Sequence, residues 1–445
     1  MSGASGTRLA MWGGLECTIN RVHETWSDQA RRNGHDRRGV ADLEKFETLG
    51  LPMVRYPVLW EAVAPNSLDE LRFEQSDERM AYFRSSSMEP IVGLLHHGSG
   101  PRYTSLVDPG FPEALATYAA RVAERYPWVR YYTPVNEPLT TSRFSGLYGV
   151  WYPHGRDSAT FARALYNEVR GTVLAMRAIR AVNPAAELVQ TDDLGRATGT
   201  EETRAQVDFE NERRWMTWDM LCGRVTPEHP MYDYLVTEGG LSEAELQLLV
   251  DEPCPPDVIG VNHYLLSNRF LDHETARYPD DTYGRRGELV YADVPALETA
   301  RAQSPSVESV LREVWERYPG IRFAITEVHV DGESETQLQW LWEVWSAAER
   351  LHEQGAPIVA VTIWSLIGTY DWNTLCTTSP DRDAYYEPGV FDVRSGEPRP
   401  TELSEMVRSL ATTGTFSHAA LQGVGFWNDP DHFRYALEEP EEAAS

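Results

Sequence analysis

Between residues 9 and 411 the chain repeats one alternation without a break: a short apolar run, then an amphipathic stretch. The apolar runs fall at 9–12, 53–56, 90–95, 131–134, 187–191, 258–262, 323–326 and 358–364, and each reads as a buried parallel strand. Between them, stretches such as 41–49, 112–123, 159–182, 307–317, 335–348 and 401–411 place apolar residues at three- and four-residue spacing, the helical period. Eight strands that each lead into a helix predict a closed α/β fold, a (β/α)8 TIM barrel, and roughly 400 residues accommodates one with long loops. No Gly/Ser run, low-complexity segment, block of like charge or tandem repeat interrupts the alternation. The expectation is one barrel domain over 9–411, after a flexible start at 1–8. Residues 412–445 are turn-rich, then aromatic, then acidic. The aromatics Phe416, Phe426, Trp427, Phe433 and Tyr435 predict that part of this tail docks on the barrel.

The chain has 445 residues, with 40 Lys+Arg against 68 Asp+Glu, a formal net charge of −28. So acidic a surface repels phosphate backbones and anionic lipids, which argues against nucleic acid and membranes as partners. No stretch approaches the roughly 18 uncharged apolar residues of a membrane span. The opening MSGASGTRLAMWGG shows no long apolar run of a secretory signal. Cys17, Cys222, Cys254 and Cys376 are scattered and form no CxxC, which predicts a reduced, cytoplasmic protein without structural zinc. Neither GxGxxG nor GxxxxGK[ST] occurs, so no nucleotide cofactor is expected. His96, His97, His154, His263 and His329 fall near strand ends, but no HExxH and no HxH after the first strand accompany them, so no metal is expected either.

Barrel enzymes build their sites at the carboxyl ends of the strands. The fourth run ends in Asn136-Glu137-Pro138 and the seventh in Thr326-Glu327. These glutamates are 327 − 137 = 190 residues apart, so only a closed barrel brings them together. Two facing carboxylates suit glycoside hydrolysis: one donates a proton to the leaving oxygen, and the other, ionised, attacks the anomeric carbon. Either glutamate alone reads equally well as a solvated loop residue.

Further segments carry a resemblance. Asn136-Glu137-Pro138 resembles the acid/base signature of glycoside hydrolase family 1. Trp12-Gly13 is similar to that family's opening strand, and Arg55-Tyr-Pro-Val-Leu-Trp60-Glu-Ala-Val-Ala-Pro65 to its second. Leu95-His96-His97-Gly98 stands where the family has Tyr-His-Trp-Asp. The stretch from Gly146 to Gly155 resembles its Pro-Gly loop, Ile259-Gly-Val-Asn262-His263-Tyr264 its Ile-Gly-Ile-Asn-Tyr-Tyr, and Trp364-Ser-Leu-Ile-Gly-Thr-Tyr-Asp371-Trp372 its Trp-Ser-Leu-x-Asp-Asn-Phe-Glu-Trp. The resemblance runs in order along nearly the whole barrel. The phrases WGGLECTINR, DFENERRW and GVGFWNDP look like a bacterial branch in which the barrel is often followed by a sugar-nucleotide reductase-like domain, and this chain looks like a stand-alone version.

What the resemblance implies is a cofactor-free, retaining β-glycosidase of carbohydrate metabolism, exo-acting on a small β-glycoside or oligosaccharide. Glu137 would be the acid/base and Glu327 the nucleophile. Arg55 would keep Glu327 ionised, Tyr264 would donate to it, and Asn136 would bind the sugar 2-hydroxyl. Asn20, His96, Trp364, Asp371 and Trp372 would bind the glycone. Asn20 and Asp371 are each a methylene shorter than the family's Gln and Glu, which points to a deoxy, N-modified or otherwise altered sugar. A transglycosidase using the same carboxylates, and a sugar-binding barrel without turnover, are the alternatives.

Overall fold

The structure is a computed structural model that describes residues 8–22, 25–370, 386–423, 425–429 and 433–435. Eight parallel strands close into a barrel: β1 (Ala10–Gly14), β2 (Met53–Pro57), β3 (Glu89–Gly93), β4 (Tyr131–Thr133), β5 (Glu187–Asp193), β6 (Val258–Asn262), β7 (Arg322–Val328) and β8 (Ile358–Ile363). Each pairs with its sequence neighbour, and β8 returns to β1 with Ala10 opposite Ala360 and Gly13 opposite Ile363. All eight predicted runs are strands, in the expected order, with ends displaced by a few residues.

The barrel lumen is packed below the mouth. Trp12, Ile91, Val189, Val258, Ala324 and Ala360 form one buried cluster, in which the indole of Trp12 is accommodated by alanines on β7 and β8. A packed floor of this kind leaves only the carboxyl ends of the strands for chemistry. Outside the strands, the helices bury their apolar stripes. Helix Ser158–Val182 starts where the Asp157 carboxylate accepts the Thr160 N–H at 2.7 Å. It lies on helix Phe111–Arg125, where Gly171 allows the close approach of Leu115 and Phe111. Pro112 opens that helix, at a position whose N–H would have no intrahelical partner.

The long loops carry structure of their own. Ala197–Gly199, Arg269–Asp272, Tyr283–Arg286 and Leu289–Pro295 build a four-stranded sheet, and Ile19–Val22 pairs with Thr25–Asp28 as a hairpin after β1. Apart from Leu289–Pro295 these strands are three or four residues long, too short to show a period in the sequence. Helix Glu402–Thr413 runs past residue 411. Beyond it, the Trp427 indole donates to Glu343 at 2.7 Å and stands edge-on to Trp340, both on helix Ser334–Glu353. Tyr435 exchanges backbone hydrogen bonds with Glu298 and Ala300. Among the described residues no helix is long and apolar enough to cross a membrane.

Candidate active site

Two backbone irregularities aim the glutamates. Pairing of β7 with β6 slips between Ile325 and Glu327, so that Glu327 stands opposite Asn262. A bulge at a strand end re-aims the side chain it carries. Glu137, just past β4, adopts a left-handed backbone with φ 48° and ψ 63° and starts helix Pro138–Ser142. A non-glycine residue held there is strained, and such strain concentrates at functional sites. The Glu137 N–H donates to the Thr191 carbonyl of β5 at 3.1 Å, which ties the turn to the barrel rim.

The two carboxylates are both buried, at 4% and 2% exposure, and meet different partners. Glu327 Oε1 accepts from Arg55 Nη1 at 2.7 Å, and its Oε2 accepts from the Tyr264 hydroxyl. Arg55 also donates to the Thr326 carbonyl at 2.8 Å and to Asn136 Oδ1 at 2.6 Å. Among the described residues no Arg or Lys pairs with Glu137 in this way. Its Oε1 accepts from the Asn262 amide, and His97 Nε2 stands 3.9 Å from its Oε2.

The protonation balance follows from these partners. Burial lifts the Glu137 carboxyl well above the usual range, and the neighbouring charge of Glu327 lifts it further, with Asp193 and Asp192 behind. Burial also raises Glu327, but the Arg55 charge and the Tyr264 hydroxyl pull it back. His96 is pushed well below its ordinary value, and His97 to about 3, by burial and by the Arg55 charge, so both rings are neutral near pH 7. One proton is therefore held on Glu137 while Glu327 is the favoured anion.

Around this pair the sugar-binding candidates divide. The His96 ring stacks on Trp364 at 5.4 Å and 7°, and Asn136 Nδ2 stands 3.4 Å from His96 Nε2. Arg55 lies 4.7 Å over the Trp364 ring. Arg55, Asn136, Glu137, Tyr264, Glu327, His96 and Trp364 thus form one connected set. Asn20 lies in the hairpin after β1, where its Oδ1 accepts the Arg21 N–H at 2.7 Å; among the described residues no hydrogen bond joins it to that set. Its buried Nδ2 has no acceptor among them. Asp371 and Trp372 lie outside the described residues.

Several members of the site were given no role by the sequence reading. Asn262 links the two halves, donating to Glu137 while its Oδ1 accepts from Thr326 at 2.7 Å. Thr191 donates to Asn136 Oδ1 at 2.7 Å. Glu16 accepts from the Trp364 indole at 3.3 Å, and His329 pairs with Glu387 at 2.9 Å. Glu16 carried a signal: it is the single charged residue between Leu9 and Asn20. The remaining histidines at the mouth are spread over separate partners, His263 bonding the Leu194 carbonyl at 2.7 Å. Among the described residues no three His, Cys, Asp or Glu side chains are grouped to hold a metal ion.

Two small voids of about 20 Å³ flank Trp364. One is lined by Arg55, His96 and Asn136, the other by Glu16, Tyr264, His329 and Glu387. A wider cleft of about 920 Å³ opens between the loops after β1, β2 and β3, and neither Glu137 nor Glu327 lines it.

No protein-family model matches the chain. Among solved structures, a β-glucosidase from Thermotoga maritima in complex with deoxynojirimycin superposes with a TM-score of 0.72 over 92% of this chain and 98% of its own, at 16% identity. The same organism's enzyme in complex with azafagomine gives 0.73 over 93% and 99%, at 17% identity. A structure described as the family 1 β-glucosidase of that organism gives 0.72 at 16% identity. At such identities the likeness is one of fold: a (β/α)8 barrel shared over about nine-tenths of this chain.

Proposed function

We propose that the protein is a retaining β-glycosidase that removes one sugar at a time from a small β-glycoside or oligosaccharide. One observation carries this reading: two strand-end carboxylates, 190 residues apart in sequence, share the barrel mouth and differ in partners, Glu327 bound by a guanidinium and a phenol, Glu137 by an amide. The fold shared with β-glucosidases of Thermotoga maritima supports it.

In the first step a Glu327 carboxylate oxygen forms a bond to the anomeric carbon as the bond from that carbon to the leaving oxygen breaks. The leaving oxygen takes the proton of Glu137. Arg55 and Tyr264 hold the attacking oxygens in place and favour their charge. Esterified Glu327 no longer carries that charge, so the Glu137 pKa falls and the carboxylate takes a proton from water. The water oxygen bonds to the anomeric carbon, the ester breaks, and Glu327 leaves as carboxylate. Asn136, held by Arg55 and Thr191, presents its Nδ2 to a sugar hydroxyl, and Trp364 offers a flat apolar face to the ring C–H bonds.

The test is to trap the intermediate. An activated 2-deoxy-2-fluoro β-glycoside is expected to inactivate the enzyme, and peptide mass spectrometry to find one sugar on Glu327. Turnover of aryl β-glycosides with inverted product, or a label elsewhere, would overturn the assignment.

A further inference from the structure

The sugar side of the proposed site holds a carboxylate that the proposed reaction leaves unused. Glu16 follows β1 and is 3% exposed. Its Oε1 accepts the Thr18 N–H at 2.8 Å and its Oε2 accepts the Trp364 indole, with His96 Nε2 3.9 Å away. It lines the same void as Tyr264, which donates to Glu327, and as the His329–Glu387 pair.

A carboxylate taken out of water needs a counter-charge or a full set of donors. The basic groups nearby are committed elsewhere. Arg55 spends its donors on Glu327, Asn136 and the Thr326 carbonyl. His96 is kept neutral by burial and by the charge of Arg55. His329 bonds Glu387. Among the described residues no Arg or Lys nitrogen comes within ion-pair distance of Glu16. Two more carboxylates are near: Glu387 lines the same void, and the charge of Glu327 acts on Glu16.

Taking the glycosidase reading as its basis, we infer that Glu16 is a specificity residue for a protonated amine, and that the substrates are β-glycosides of amino sugars. A sugar hydroxyl gives Glu16 a hydrogen bond; an ammonium gives it hydrogen bonds and the missing charge. A uronate in the same place would face three carboxylates. Burial pushes the Glu16 carboxyl up to about 7, so near neutral pH its anion is within easy reach of a bound cation.

The test compares 4-nitrophenyl β-glycosides of glucose, of its singly amino-substituted analogues with the amine at C2, C3, C4 or C6, of the corresponding N-acetyl sugars, and of glucuronic acid. At least one free-amine substrate is expected to exceed glucose, its own N-acetyl form and the glucuronide in kcat/KM, by about 30-fold, the scale of one charged hydrogen bond. In Glu16→Gln the amine-to-glucose ratio of kcat/KM is expected to collapse by a similar factor, through a rise in KM for the amine. Turnover of glucosides without a preference for any amine overturns this inference and leaves the glycosidase reading standing. So does a glucuronide faster than every amine, or an unchanged ratio in Glu16→Gln. Hydrolysis of none of these substrates counts against the glycosidase reading itself, and this inference falls with it. The wild-type panel decides the matter even where Glu16→Gln fails to fold.

Discussion

Arg55 Nη1 stands 2.7 Å from Glu327 Oε1, with both side chains about 95% buried or more, so the nucleophile candidate and its counter-ion left water as a pair. Breaking a buried pair from one side is far costlier than an exposed one, because the remaining charge is stranded. Arg55→Met is expected to lose about 3–5 kcal/mol of stability, read by chemical denaturation. Arg55→Lys keeps the charge but not the fork that spans Glu327 and Asn136. It is expected to stay closer to wild type in stability and to lose kcat.

The hydroxyl of Tyr264 is the other donor to Glu327. A hydrogen bond to a charged group contributes about 1.5–3 kcal/mol. Tyr264→Phe is expected to lower kcat/KM by about 10- to 100-fold on aryl glycosides with no comparable loss of fold, measured by kinetics beside thermal unfolding.

The two carboxylates predict a bell-shaped pH profile of kcat/KM. The acid limb reports ionisation of Glu327, which must be an anion to attack. The basic limb reports loss of the proton from Glu137, held high by burial and by Glu327. Arg55→Met withdraws the charge that pulls the Glu327 pKa back down, so the acid limb is expected to move to higher pH. In Glu327→Gln the neighbouring charge is gone, and the Glu137 carboxyl is expected to titrate at lower pH by 13C NMR.

Stereochemistry separates the two roles. Glu137→Ala is expected to form the glycosyl-enzyme from a nitrophenyl glycoside and then stall, and added azide to release the β-glycosyl azide. Azide with Glu327→Ala enters from the vacated face and is expected to give the α-azide. Near-wild-type activity in both variants would remove these residues from the catalytic role.

Glu61 gives a stability prediction away from the chemistry. It is 5% exposed, and burial pushes its carboxyl up to about 8. Its folded pKa lies above the unfolded one, so its contribution is full below the ordinary carboxylate range and is lost as pH rises toward about 8. Glu61→Gln cannot ionise. It is expected to match wild type in Tm near pH 4.5 and to exceed it at pH 8 by on the order of 2–6 °C.

Barrel strands are legible in a sequence because both their faces are covered, which writes them as apolar runs such as 258–262. Glu137 and Glu327 stood out as carboxylates ending such runs, and Arg55 through the resemblance of its segment. Counting along the chain was less able to place Asn20. Two residues four apart can exchange places at a pocket wall when the chain enters a hairpin between them, and here Glu16 accepts from Trp364 while Asn20 Oδ1 accepts the Arg21 N–H. The four-stranded side sheet was not legible because segments such as Arg269–Asp272 and Tyr283–Arg286 are held by pairing with Leu289–Pro295 between them, a relation no local pattern records.

The return of β8 to β1 sets a schedule for synthesis. Until residues 358–363 leave the ribosome, the growing sheet has two open edges, β1 and β7, each with unpaired backbone groups that invite wrong partners. Glu327 lies on one of those edges, and Trp364 arrives directly after the strand that seals both. Synthesis must therefore reach residue 364 before Trp364 and Glu327 can share one site. A nascent barrel of this kind has an incomplete mouth and is at its most adhesive in the same interval, and one strand of six residues ends both conditions together.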